Sequence, residues 1–331
     1  MKFGTVPTHD AAGAYLAHSV ALPKGRLRKG LLIESRHIAD LLAAGHEQVT
    51  VARLAPRDVD ENTAAAQLAQ ALVGDEPDFD PHLDMTNAFT GRVNLLAKGP
   101  GVAVLDVAAL EAANAVHPMI TLATVPPFQQ MTNGGMVATI KIISYGVDQA
   151  DLARACAAAR GAIRLAPPQL KDATLIITEI ERGAGDKGRE AIANRLTALD
   201  VVLKDVVMVP HETDALCDAI TVAKSELVLI LTGSATSDID DVAPSALRAA
   251  GGTVARFGMP VDPGNLLFLG NLGARQVIGL PGCARSPALN GADWVLSRIA
   301  CGIAVTDRDI AGMGVGGLLK EIVTRPQPRR G

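Results

Sequence analysis

The residues best suited to chemistry follow one apolar run: Leu227-Val-Leu-Ile-Leu231 breaks into Thr232, Gly233, Ser234, Ala235, Thr236 and Ser237, then into Asp238, Asp240 and Asp241. A continuous apolar run bounded by turn residues predicts a fully buried parallel strand. Small residues just past its end let a ligand approach the backbone and receive main-chain N–H groups. Asp240 or Asp241 then caps a helix with Pro244 in its first turn. Strand, small-residue loop and helix N-terminus together predict a grip for an anion, and so for a phosphorylated ligand.

Two further turns have the same character. One is Glu179-Ile-Glu-Arg-Gly183-Ala-Gly185-Asp186-Lys187-Gly188, in which Asp186 opens a helix. The other is Gly279-Leu-Pro281-Gly282-Cys283-Ala-Arg285-Ser286-Pro287. The hydroxyls of Thr232, Ser234, Thr236 and Ser237 can donate to a terminal phosphate, and Arg285 can neutralise it or, equally, be a surface residue tied to a helix carbonyl. Carboxylates repel a phosphate unless a cation intervenes, so Asp186 and Asp241 fit Mg²⁺ binding. They fit helix caps equally well. Cys283 reads as packing in a small-residue turn, His211 as a local cap of the next helix, and Trp294 as core; His37 and His117 belong to no partner pattern.

The elements that must position these turns alternate regularly. Strands are predicted at Thr174 to Thr178, Val201 to Val209 and Leu227 to Leu231, with helices at Lys187 to Leu199, Thr213 to Ala223 and Pro244 to Ala250. A hairpin over Phe268 to Gly279 and a helix over Gly291 to Ala300 close the unit. Such alternation predicts an α/β fold of three layers, a mostly parallel sheet with helices on both faces. A mixed α+β, strand-rich region precedes it. Helices are expected there at Ala11 to Val20, Ile33 to Ala44, Glu61 to Leu72 and Asp148 to Gly161. Strands are expected at Val49 to Leu54, Gly91 to Leu96, Val102 to Leu105, Ile120 to Val125 and Met136 to Ile143. The acidic stretch Gly74 to Pro81 and the pair Pro167-Pro168 punctuate the chain. They suggest an α+β region 1–84, a strand-rich part 85–165, the α/β domain 166–305 and a tail 306–331.

Composition bounds the function class. The chain has 331 residues, 48% of them hydrophobic, which suits more than one domain with sizeable cores. Its formal net charge of -4 gives no electrostatic footprint for nucleic acid. The basic runs Lys24 to Lys29 and Arg325 to Arg330 are short and read as solvated surface. The four cysteines are scattered, so neither a disulfide framework nor a zinc site is indicated. With no signal-like start and no apolar run of membrane-spanning length, a cytoplasmic location is expected.

Thr232 to Pro244 resembles the signature of the molybdopterin-binding domain of molybdenum-cofactor biosynthesis, in which a Gly-Gly-rich loop leads to an aspartate and a helix. Gly185-Asp186-Lys187-Gly188 is similar to the upstream loop of that domain. Pro263-Gly264-Asn265 and Leu280-Pro281-Gly282-Cys283-Ala284-Arg285-Ser286 resemble the Pro-Gly-Lys-Pro and Leu-Pro-Gly-Asn-Pro-x-Ser segments of molybdate-inserting relatives. The likeness covers about residues 170 to 305. It implies molybdopterin, a pterin phosphate, as ligand, contacted by Thr232 to Ser237, Asp238, Asp240, Gly282, Arg285 and Ser286. It further implies Asp241 and Asp186 as catalytic groups, with Mg²⁺ on Asp241 and ATP or molybdate as co-substrate. A homo-oligomer, and a separate nucleotidyltransferase as partner, are implied as well. Ser234 stands where a second glycine is usual, Asn265 for a lysine and Cys283 for an asparagine, and the Asp-Gly-Tyr segment of insertion enzymes is missing. The three substitutions favour a carrier or regulator, whereas the retained pair Asp186 and Asp241 favours an enzyme, for which the resemblance implies adenylyl transfer to molybdopterin or molybdate insertion.

Overall fold

The structure, a computed structural model, describes residues 1–74, 80–181, 183 and 185–319. Positions 75–79 of the acidic stretch, Arg182 and Ala184 of the first turn, and the terminal basic run lie outside the described residues. The chain forms two compact units. The first comprises Met1–Lys98, Ala103–Pro127 and Asn133–Leu165; the second comprises Gly99–Val102, Phe128–Thr132 and Ala166–Gly331.

In the first unit, strands Lys2–Pro7, Gln48–Arg53 and Tyr15–Leu16 pair antiparallel in that order. Ala11, Ala14, Leu16, Ile33, Leu41, Val49 and Val51 form its core. The helix expected over Ala11 to Val20 is absent; this stretch follows a 3-10 turn at Thr8–Asp10 and contains short strands Tyr15–Leu16 and Val20–Ala21. Ala11 and Ala14 mimic a helical spacing, but Gly13 takes φ +72 and the N–H groups of Leu16 and Ala17 reach Leu31 and Thr50 carbonyls. Helix Ser35–Ala43 forms as expected, and His37 does have a partner: its Nδ1 accepts the Glu34 N–H in a capping box.

Strands Ile120–Thr124, Met136–Ile142, Arg92–Ala97 and Leu83–Met85 make a second antiparallel sheet. Helix Glu61–Val73, capped by Asp60, buries Ala64, Ala65, Leu68 and Leu72 and contacts two of its strands. A helix at Val107–Val116, capped by Asp106, lies inside the stretch read as strands only. The chain's two tyrosines, Tyr15 and Tyr145, stack at 6.3 Å. Burial, helped by the Glu61 carboxylate, raises the pKa of both phenols.

The second unit is an α/β fold. Its six-stranded sheet runs Val202–Pro210, Asp172–Glu179, Leu227–Leu231, Arg275–Leu280, Phe268–Leu272, Thr253–Phe257. The first four strands are parallel and the last two antiparallel. Alternate residues divide the apolar surface. Ile176, Val228, Ile230 and Val277 pack with Leu216, Ile220, Ala246 and Leu247 of helices Thr213–Val222 and Val242–Ala249. Leu175, Ile177, Leu229 and Leu231, on the alternate positions, are equally buried. Helix Arg189–Thr197 contacts the strand Val202–Pro210, and helix Gly291–Ala300 contacts Arg275–Leu280. Among the described residues no helix is long and apolar enough to cross a membrane.

Phe268 is buried in the core of this sheet opposite Gly279, and a Cβ at Gly279 would overlap its ring. Gly279→Ala should therefore lower stability by about 1–3 kcal/mol through overpacking. Urea denaturation measures this, and Phe268→Leu in the same chain should recover part of the loss.

Candidate functional site

The three turns singled out by sequence all leave the carboxyl ends of adjacent parallel strands, Asp172–Glu179, Leu227–Leu231 and Arg275–Leu280. Binding sites of open α/β sheets lie at such ends. Gly233 lets two of these turns touch: a Cβ there would stand 2.7 Å from the Thr178 carbonyl oxygen. The Gly233 N–H, expected to face a ligand, donates instead to Thr178 Oγ1 at 2.9 Å. Thr178 is buried, and the same oxygen lies 2.8 Å from His211 Nδ1. His211 is thus not the cap of helix Thr213–Val222, whose N-cap is Glu212.

Within the second turn Thr232 and Thr236 are buried, their hydroxyls 3.3 Å apart, while Ser234, Ala235 and Ser237 are exposed. Asp241 caps helix Val242–Ala249: Oδ1 accepts the Val242 N–H at 2.7 Å and Oδ2 the Ser237 N–H at 2.9 Å. Asp238 Oδ1 accepts the Asp240 N–H, and Asp240 pairs with Arg248 at 2.8 Å. Every acid of this turn therefore has a local partner. Among the described residues no group of three or more His, Cys, Asp or Glu side chains could hold a metal ion. The residues present do not fit a magnesium ion held by the protein alone.

Asp186 does not cap the following helix; Gly188 does, at φ +102. A Cβ on Gly188 would lie 2.8 Å from the Arg285 Cα, so only glycine admits this approach. Arg285, open to phosphate or to main-chain carbonyls by sequence, donates to the Lys187 carbonyl at 2.6 Å and the Thr232 carbonyl at 2.7 Å. Its guanidinium is half-buried, and that desolvation lowers its pKa from the ordinary arginine value. Gly282 and Arg285 bound a 3-10 turn, and the exposed Ser286 Oγ accepts the Ala288 N–H. Pro263 and Gly264 pack against the start of helix Gly291–Ala300, where the Gly291 N–H meets the Pro263 carbonyl at 2.8 Å. Asn265 is exposed, its amide reaching the Met259 carbonyl.

Sequence reasoning missed the residue that holds the third turn. Arg195, on helix Arg189–Thr197, donates to the carbonyls of Ala191, Ala284, Ser286 and Ala288 and pairs with Asp293, both side chains being close to buried. Asp293 also receives the Asn290 N–H, closing the capping box of helix Gly291–Ala300. No short motif marks Arg195, because its partners lie far along the chain. A cavity of about 570 Å³ lies elsewhere, in the first unit, lined by Arg57, Asp58, His117, Met119 and Asp148 among others.

Arg195→Ala strands the Asp293 carboxylate, and should cost about 3 kcal/mol or more. Arg195→Lys keeps the charge without the planar fork and should fall between. Urea melts of both variants measure the difference.

Comparison with known proteins gives the following likenesses. A family described as a domain of unknown function (DUF8806) matches residues 5–53. No curated protein matches the chain. Among solved structures, the chain is similar to a molybdopterin biosynthesis MoeA protein from Pyrococcus horikosii, at 14% identity and TM-score 0.31, over 95% of this chain and 76% of that one. It is similar to a molybdopterin biosynthesis protein from Mycobacterium abscessus, at 15% identity and TM-score 0.29, over 40% and 94%. A third likeness is to the protein CinA, of unknown function, from Thermoplasma acidophilum, at 20% identity and TM-score 0.26, over 35% and 90%.

Proposed function

We propose that the second unit is a three-layer molybdopterin-binding domain. It takes the pterin phosphate at the turns that follow strands Asp172–Glu179, Leu227–Leu231 and Arg275–Leu280. The observation that carries this reading is the lacing of the turns by Arg285 through Lys187 and Thr232, which ties the three turns to one another at the carboxyl edge. Exposed Ser234 and Ala235 offer hydroxyl and main-chain donors to phosphate, joined by Ser286 and by the Arg285 N–H groups beyond the two already bonded. Gly282 leaves room for the ligand beside them. Asp186, exposed at the rim, accepts from a pterin N–H. Asp241 acts on the shape of the loop: by accepting the Ser237 N–H it fixes the turn that carries Ser234 and Ala235.

Within this proposal a carrier that hands the cofactor to a separate nucleotidyltransferase is favoured over a transferase, because both Asp241 oxygens already accept main-chain N–H groups. Anaerobic calorimetry with molybdopterin, with and without Mg²⁺, should give saturable binding; no heat in either condition sinks the reading. Ser234→Asp places a like charge against the phosphate and should weaken binding by about tenfold or more, roughly 1.4 kcal/mol. Incubation with MgATP and molybdopterin should give no adenylated product, and its appearance would return Asp241 and Asp186 to catalytic roles.

A further inference from the structure

We infer that His211 is a further ligand-contacting residue of the loop site, donating through Nε2–H to the phosphate; this rests on the reading of the 232–237 turn as a phosphate site. Thr178 Oγ1 is the meeting point of two partners, the Gly233 N–H at 2.9 Å and His211 Nδ1 at 2.8 Å. The hydroxyl carries one hydrogen, and the Gly233 N–H can only donate to it. With Thr178 buried, its own hydrogen has one acceptor among the described residues, the His211 Nδ1 lone pair. With the hydroxyl as donor, Nδ1 accepts and the ring hydrogen sits on Nε2. The two ring nitrogens diverge, so Nε2 is directed off the buried hydroxyl.

The backbone fixes where this donor stands. His211 follows the strand Val202–Pro210 at the same carboxyl edge as the loops, and its N–H is tied to the Glu179 carbonyl at 2.9 Å. One buried hydroxyl thus withdraws the Gly233 N–H from the ligand and orients an imidazole N–H beside it. The side chain takes over the part that the main chain gives up.

The test uses the full chain. NMR of protein labelled with ¹⁵N-histidine should show Nδ1 unprotonated and Nε2 protonated at His211, and the Nε2 resonance should move when molybdopterin is added. A protonated Nδ1 in the neutral ring, or an unmoved resonance, overturns the proposal. His211→Ala should weaken molybdopterin binding about tenfold, the size of one hydrogen bond to a charged group. His211→Gln, whose amide reaches the Nε2 position, should recover most of the loss, and His211→Asn, which mimics Nδ1, should not. In a Thr178→Val background, where the ring is no longer oriented, His211→Ala should cost little further binding. If Ser234→Asp abolishes binding while every His211 variant binds like the parent, this inference fails and the phosphate reading stands. If the parent does not bind, both fall.

Discussion

Four main-chain carbonyls and one carboxylate converge on the guanidinium of Arg195, and the candidate site depends on that convergence. The turn 284–288 has no ladder to bond its carbonyls, and that of the buried Ala284 needs a donor. Arg195 meets this need from a neighbouring helix with the only side chain that carries five donors in a fixed plane. Once the turn is set, Arg285 has a defined origin, and from it reaches the other two turns. The site is thus built in sequence: helix to turn by Arg195, turn to turn by Arg285, with Gly188 clearing the path.

The acids present the opposite economy. Asp238, Asp240 and Asp241 look in sequence like a metal-binding run, yet each serves the local backbone or a nearby arginine. A carboxylate beside a helix start finds N–H groups at once, whereas a metal needs several ligands brought together from different elements. The local solution needs no tertiary precision. Here it accounts for every acid in the turn.

Legibility followed the range of the interactions involved. The strand Leu227–Leu231 and the helix Gly291–Ala300 were readable to the residue, because apolar runs and periodic patterns are local signals. The antiparallel edge strand Thr253–Phe257 carried too little apolar pattern to be seen. The helix Val107–Val116 was missed although Asp106 announces it, since strong β-branched runs on either side suggested strands throughout. At the site, the three turns and the Asp241 cap were legible. Arg195, Thr178 and the true partner of His211 were not, because each bond joins residues remote along the chain and leaves no spacing to read.

The scarcity of aromatic residues gives the molecule an unplanned convenience. Both tyrosines, Tyr15 and Tyr145, stack within the first compact unit, and the single tryptophan, Trp294, sits on helix Gly291–Ala300 of the second. Each unit therefore carries its own chromophore. Indole emission, excited at the red edge where phenol does not absorb, reports the melting of the second unit, and phenol emission, resolved by its shorter wavelength, that of the first, in one unlabelled sample.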